Sequence, residues 1–80
     1  MTMKEVIESL YSYNIDAINC GGGKYKVVWP SGAIATLFAK DVRELLVDLT
    51  KAIRWRGQTV AQYEEGFFNI NRNDTIRTIY

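Results

Sequence analysis

The stretch Lys24-Tyr25-Lys26-Val27-Val28-Trp29-Pro30-Ser31-Gly32-Ala33-Ile34-Ala35-Thr36-Leu37-Phe38 decides the fold. Its first run, Lys24 to Trp29, alternates: Tyr25, Val27 and Trp29 point one way, Lys24 and Lys26 the other. Its second run, Ala33 to Phe38, places Ile34, Thr36 and Phe38 on a shared face. Between them stands Pro30-Ser31-Gly32, where proline fixes φ and glycine ends the reversal. The pattern predicts an antiparallel pair. On the N-terminal side, Gly21-Gly22-Gly23 turns at little steric cost because glycine accepts positive φ. It links the pair to a preceding strand over Ile15 to Cys20, making a three-stranded meander.

Helical spacing brackets the meander. From Thr2 to Tyr13, Met3, Val6, Ile7, Leu10 and Tyr11 follow the i, i+3, i+4, i+7, i+8 rule of one buried stripe. Thr2 and Glu5 form a capping box, and Asn14 tolerates the left-handed conformation that ends a helix. After the meander, Val42, Leu45, Leu46, Leu49 and Ile53 mark a second helix. Asp41 with Glu44 reads as an Asp variant of the capping box. Lys51, Arg54 and Arg56 gather at the negative end of its dipole, and Gly57 reads as its C-cap. Thr59 with Gln62 caps a short third helix that carries Val60, Ala61 and Tyr63 and ends near Gly66. Phe67 to Ile70 and Thr75 to Tyr80 then fit either a hairpin around Arg72-Asn73-Asp74 or a continued helix with a tail. The expected architecture is α+β and two-layered: N-terminal helix, three-stranded antiparallel sheet, helix, short helix, and a C-terminal hairpin or tail. Residues 1–80 form one small globular domain.

Composition narrows the function. The 80 residues are 48% hydrophobic and 24% charged, with a net charge of +1. That balance fits a globular chain rather than a disordered tail, and no apolar run reaches the roughly 20 residues of a membrane span. It lacks the cationic excess of a strong nucleic-acid module and the acidic excess of a DNA mimic. There is no histidine, so the commonest general base and metal ligand is missing. The one cysteine, Cys20, cannot form an internal disulfide or a thiol-based zinc site. Met1 to Glu5 shows no basic and apolar leader, which with the cysteine usage points to a cytoplasmic protein.

The candidate chemistry is thin. Gly21-Gly22-Gly23-Lys24 suggests a phosphate loop, but here the lysine opens a strand and Tyr25 stands where Ser or Thr is needed; a plain turn explains it. Cys20 has no histidine to activate it. Glu64-Glu65 are adjacent and diverge on a helix, and Asp41 and Glu44 are read as caps. No enzyme, cofactor or metal is expected.

Arg54-Trp55-Arg56 is the feature with most promise for binding. Continued at about 100° per residue, helix two places Trp55 with Glu44, Asp48 and Lys51, away from its apolar stripe. An exposed tryptophan beside arginines has the composition of an interface hot spot. If the helix frays, Trp55 turns back into the core against Phe67 or Phe68 instead. The expected partner surface is Arg54, Trp55 and Arg56, with Tyr63, Phe67 and Phe68 as secondary anchors. A non-enzymatic module that binds another protein by occlusion follows. The alternative is a weak nucleic-acid binder that uses Lys24, Lys26 and Lys51 with Arg54, Trp55 and Arg56. Lys24 and Lys26 read equally as protection of a sheet face or edge, and the sequence alone does not bring the two basic sets together. A homodimer that buries the aromatics is a third reading.

Two resemblances accompany this. The order helix, three strands, helix over Thr2 to Trp55 resembles double-stranded-RNA-binding domains, which implies duplex RNA as ligand. That family opens its last helix with a basic K-K-x-A-K cluster; here the positions read Lys40-Asp41-Val42-Arg43-Glu44, with two acids among them. In size, element order and lack of catalytic residues the chain also resembles small phage-encoded inhibitors, anti-CRISPR proteins among them. That resemblance implies an inhibitor or adaptor from a phage or mobile element.

Overall fold

The computed structural model describes residues 1–79, with side chains through Asn69. It contains α1 (Met3–Tyr11), β1 (Asp16–Gly21), β2 (Lys24–Val28), β3 (Ile34–Phe38), α2 (Ala39–Arg56) and α3 (Val60–Ile79). The sheet is antiparallel in the order β1-β2-β3, and the helices cover one of its faces. This is the α+β meander that the alternation in residues 24–38 predicts. Cross-strand pairing runs Ala17–Val27–Ala35, which places inward residues opposite one another, and Asn19–Tyr25–Leu37, where Tyr25 and Leu37 turn inward and Asn19 at the sheet's end stays exposed.

The two turns use the chemistry foreseen for them. Gly22 and Gly23 have φ of 62° and 77° between the paired Gly21 and Lys24. Two successive positive φ values make the tight loop that matches strand twist, and only glycine takes both cheaply. One residue earlier, the register slips between Asn19 and Gly21, and the Asn19 side chain accepts the Gly21 N–H at 2.8 Å. Cys20 is the extra residue of this bulge and is exposed. At the other turn, Gly32 N–H donates to the Trp29 carbonyl at 2.8 Å.

The core lies between sheet and helices. Tyr25, Val27 and Trp29 of the β2 run are buried against Val6 and Leu10 of α1 and Val42, Leu45, Leu46 and Leu49 of α2. Trp29 is 1% exposed, and its indole N–H finds no hydrogen-bond partner among the described residues. Ile53 is only half-buried and Ala52 takes the deeper place on that stripe. Tyr11, expected on the α1 stripe, is 66% exposed. The helix ends at that residue, and Asn14 with φ of 64° already turns the chain toward β1. The Thr2/Glu5 box is formed: Glu5 N–H donates to Thr2 Oγ1 and Thr2 N–H to Glu5 Oε1. These contacts hold the Glu5 carboxyl below its ordinary range.

Besides the earlier end of α1 at Tyr11, two helix boundaries differ from expectation. Asp41 is not the cap of α2. Strand β3 passes straight into the helix with Phe38 at the cap position and no side-chain cap bond. The backbone supplies the missing partner, since Ala39 N–H donates to the Gly23 carbonyl at 2.9 Å. Asp41 lies within the first turn, where a carboxylate complements the helix dipole. The third helix does not stop at Gly66: among the described residues α3 continues to Ile79, the continued-helix alternative rather than the hairpin, and Tyr80 lies outside the described residues. Val60, Tyr63, Phe67 and Phe68 fall at helical spacing and pack on the core, with Trp29 in ring contact with the three aromatics. That packing outweighs the roughly 1 kcal/mol a helical glycine costs. Gly57, by contrast, caps α2 as expected with φ of 68°, and the Thr59/Gln62 box opens α3. No helix among the described residues is long and apolar enough to cross a membrane.

Candidate functional site

Helix α2 presents its solvent side as two lengthwise strips. At 100° per residue, Lys40, Arg43, Val47, Lys51 and Arg54 share a strip about 80° wide, opposite the buried stripe. All five are exposed, Val47 by 54%. The neighbouring strip, on the α3 side, holds Glu44, Asp48 and then Trp55 one turn beyond Lys51. Trp55 is 85% exposed. The helix stays regular through Arg56, so the indole never turns back toward Phe67 or Phe68. A shallow depression of about 260 Å³ separates the strips, lined by Arg43, Glu44, Val47, Asp48 and Lys51.

The arginines of the Arg54-Trp55-Arg56 motif part company. Arg54 joins the cationic strip. Arg56 lies around the helix, 3.9 Å from Asp48, with both side chains still more than half exposed. It lines a cleft of about 520 Å³ between α2 and α3 together with Gln58, Gln62, Tyr63, Gly66 and Phe67. Tyr63 O–H donates to Asp48 Oδ2 at 2.7 Å. Partial burial, then that hydrogen bond and the nearby carboxylate charge, push the Tyr63 phenol well above its ordinary value. Ser31 Oγ donates to Glu64 at the other end of the contact, tying the β2–β3 turn to α3.

The secondary anchors are therefore half-committed to the core. Tyr63, Phe67 and Phe68 stand 6.1, 5.3 and 5.8 Å from the Trp29 ring centroid. Their outer edges face the cleft or solvent, and their inner faces close the core over Trp29. Trp55 makes none of these ring contacts.

Lys24 and Lys26 lie on the outer face of the sheet, where Lys24 Nζ stands 5.8 Å from the Phe38 ring centroid. Ile18 and Ile34 share that face and are about half exposed. Lys51, Arg54 and Trp55 point outward from the helical layer, on the opposite side of the molecule. The two basic sets do not form one surface. The residues that do extend the Trp55 face are Lys40 and Arg43, which the reading of the sequence passed over. The signal was present in the spacing 40, 43, 47, 51, 54, hidden because the acids at 41 and 44 interrupt it in linear order.

Among the described residues no group of three or more acidic or thiol side chains is close enough to hold a metal ion. No family model matches this chain, and the searches of curated proteins and of solved structures found no match to it.

Proposed function

We propose that this is a non-enzymatic protein-binding module, an inhibitor or adaptor of the kind mobile elements encode, which works by covering a partner's surface with the outer face of α2. The observation that carries this is Trp55. An indole 85% exposed on a regular helix contributes little to the fold that holds it. Tryptophan and arginine are the side chains most enriched where protein interfaces concentrate their binding energy. Trp55 and Arg54 occupy adjoining columns on a helix whose other side is anchored in the core, so the patch is presented rigidly and loses little entropy on binding.

Site-specific photocross-linking tests the reading. A benzophenone amino acid replaces Trp55 in the full chain, expressed in cells that naturally make it, and a second version carries the probe at Lys26 on the sheet's outer face. A discrete protein adduct is expected from position 55 and not from position 26. Absence of an adduct at 55, or the same adduct from both, refutes the reading. The nucleic-acid alternative is tested by a fluorescent oligonucleotide at about 50 mM salt, where phosphate contacts bind most tightly.

A further inference from the structure

Resting on the Trp55 reading, we infer that the partner presents an acidic protein surface with apolar pockets for Val47 and Trp55, and that it docks along the length of α2. Lys40, Arg43, Lys51 and Arg54 lie in one strip that runs about 21 Å along the helix axis at 1.5 Å per residue. Val47 lies at the middle of that strip, and Trp55 follows its last turn about 12 Å further along. Both are large apolar side chains left more than half exposed. Within the strip Val47 is flanked by Arg43 and Lys51, and Trp55 follows Lys51 and Arg54, with Glu44 and Asp48 in the next column. Apolar contacts set among these four cations fit a complement whose apolar pockets are rimmed by acids.

The column beside the strip carries carboxylates that a continuous phosphate backbone meets. Glu44 and Asp48 stand one column away, and Glu44 and Asp48 line the same depression as Arg43 and Lys51. A nucleic acid crossing the strip brings its phosphates against those carboxylates along the whole middle of α2. A folded protein surface can place acids opposite the cations and leave Glu44 to water or to a basic group at its rim, while Asp48 is already engaged by Tyr63 and Arg56. Nor does a duplex offer pockets for side chains the shape of Val47 and Trp55.

The test adds charge reversal to the cross-linking at position 55. One protein carries K51E with R54E; the control carries K24E with K26E, the same change in net charge on the opposite layer. All four positions are exposed, and circular dichroism checks that both variants fold. The adduct yield is expected to fall about tenfold or more with K51E/R54E, because complementary charges across the interface become like charges. It is expected to stay within about twofold in the control, as a change remote from the interface does. The adducted segment, sequenced by mass spectrometry, is expected to be rich in Asp and Glu and to survive nuclease treatment. Equal yields in the two variants, a neutral or basic segment, or an adduct that is nucleic acid overturn the inference. An adduct at 55 that ignores charge leaves the protein-binding reading standing and removes only the acidic partner. No adduct at 55 removes both.

Discussion

Replacing Trp55 with alanine separates a binding tryptophan from a structural one. Burying a tryptophan removes roughly 150–250 Å² from water. Trp55 keeps 85% of its surface exposed, so truncation forfeits on the order of 25–40 Å² of burial. At about 25 cal/mol per Å², that is under about 1 kcal/mol. Trp29 is 1% exposed, and the same arithmetic gives about 4–6 kcal/mol, close to the ~3–5 kcal/mol found when large core aromatics are truncated. A chain of this length has roughly 4–12 kcal/mol in all, so Trp29→Ala removes much of it. Urea unfolding followed by far-ultraviolet circular dichroism reads both without relying on the tryptophans. Trp55→Ala is expected to shift the midpoint slightly with an unchanged slope. A complementary check uses Trp55→Phe, which leaves only Trp29 to emit. Its fluorescence is expected to be blue-shifted and protected from iodide, while the wild type shows a quenchable fraction. A loss of 2 kcal/mol or more in Trp55→Ala, or an unquenchable wild type, means that the indole at 55 is packed, and the reasoning about the α2 face fails.

Other consequences concern the chain from Gly57 onward. Gly57→Ala is expected to destabilise by about 1–2 kcal/mol in the same urea assay, because its φ of 68° is costly for any residue with a Cβ. Gly66→Ala is expected to act in the opposite sense and add about 0.5–1 kcal/mol, since the new methyl meets open space within a regular helix. Tyr63→Phe removes a hydrogen bond to a half-exposed carboxylate and is expected to cost about 1 kcal/mol at neutral pH. The phenol's pKa is raised on folding, so the unfolded chain releases this proton first as pH rises. The stability it contributes is whole below about pH 10 and declines above it. Thermal melts from about pH 9 to 11 should therefore fall more steeply for the wild type than for Tyr63→Phe; parallel curves contradict the docking of Tyr63 on Asp48.

What the sequence by itself determined is local. Alternation over Lys24–Trp29 set which side of β2 is buried, because a strand has a period of two and the wrong choice exposes Tyr25, Val27 and Trp29 together. The glycines at 22, 23 and 57 and the Thr/Glu and Thr/Gln boxes marked their turns and caps, since backbone φ and orphan N–H groups are satisfied within a few residues. The absence of histidine and of a second thiol is equally a property of the chain alone. Only the tertiary structure decided the rest. Gly66 reads as a helix stop or as part of a continued helix, and the choice is made when Phe67 and Phe68 find Trp29, which lies far away in sequence and supplies the contact energy that carries α3 onward. Asp41 reads as a cap until the Gly23 carbonyl, brought alongside by the meander, takes the Ala39 N–H. Lys24 and Lys26 read as companions of Lys51 and Arg54 until the sheet and α2 are stacked as two layers that turn the two sets to opposite sides. In each case the missing term was a contact between segments distant in sequence, which propensity and spacing do not encode because they describe one element at a time.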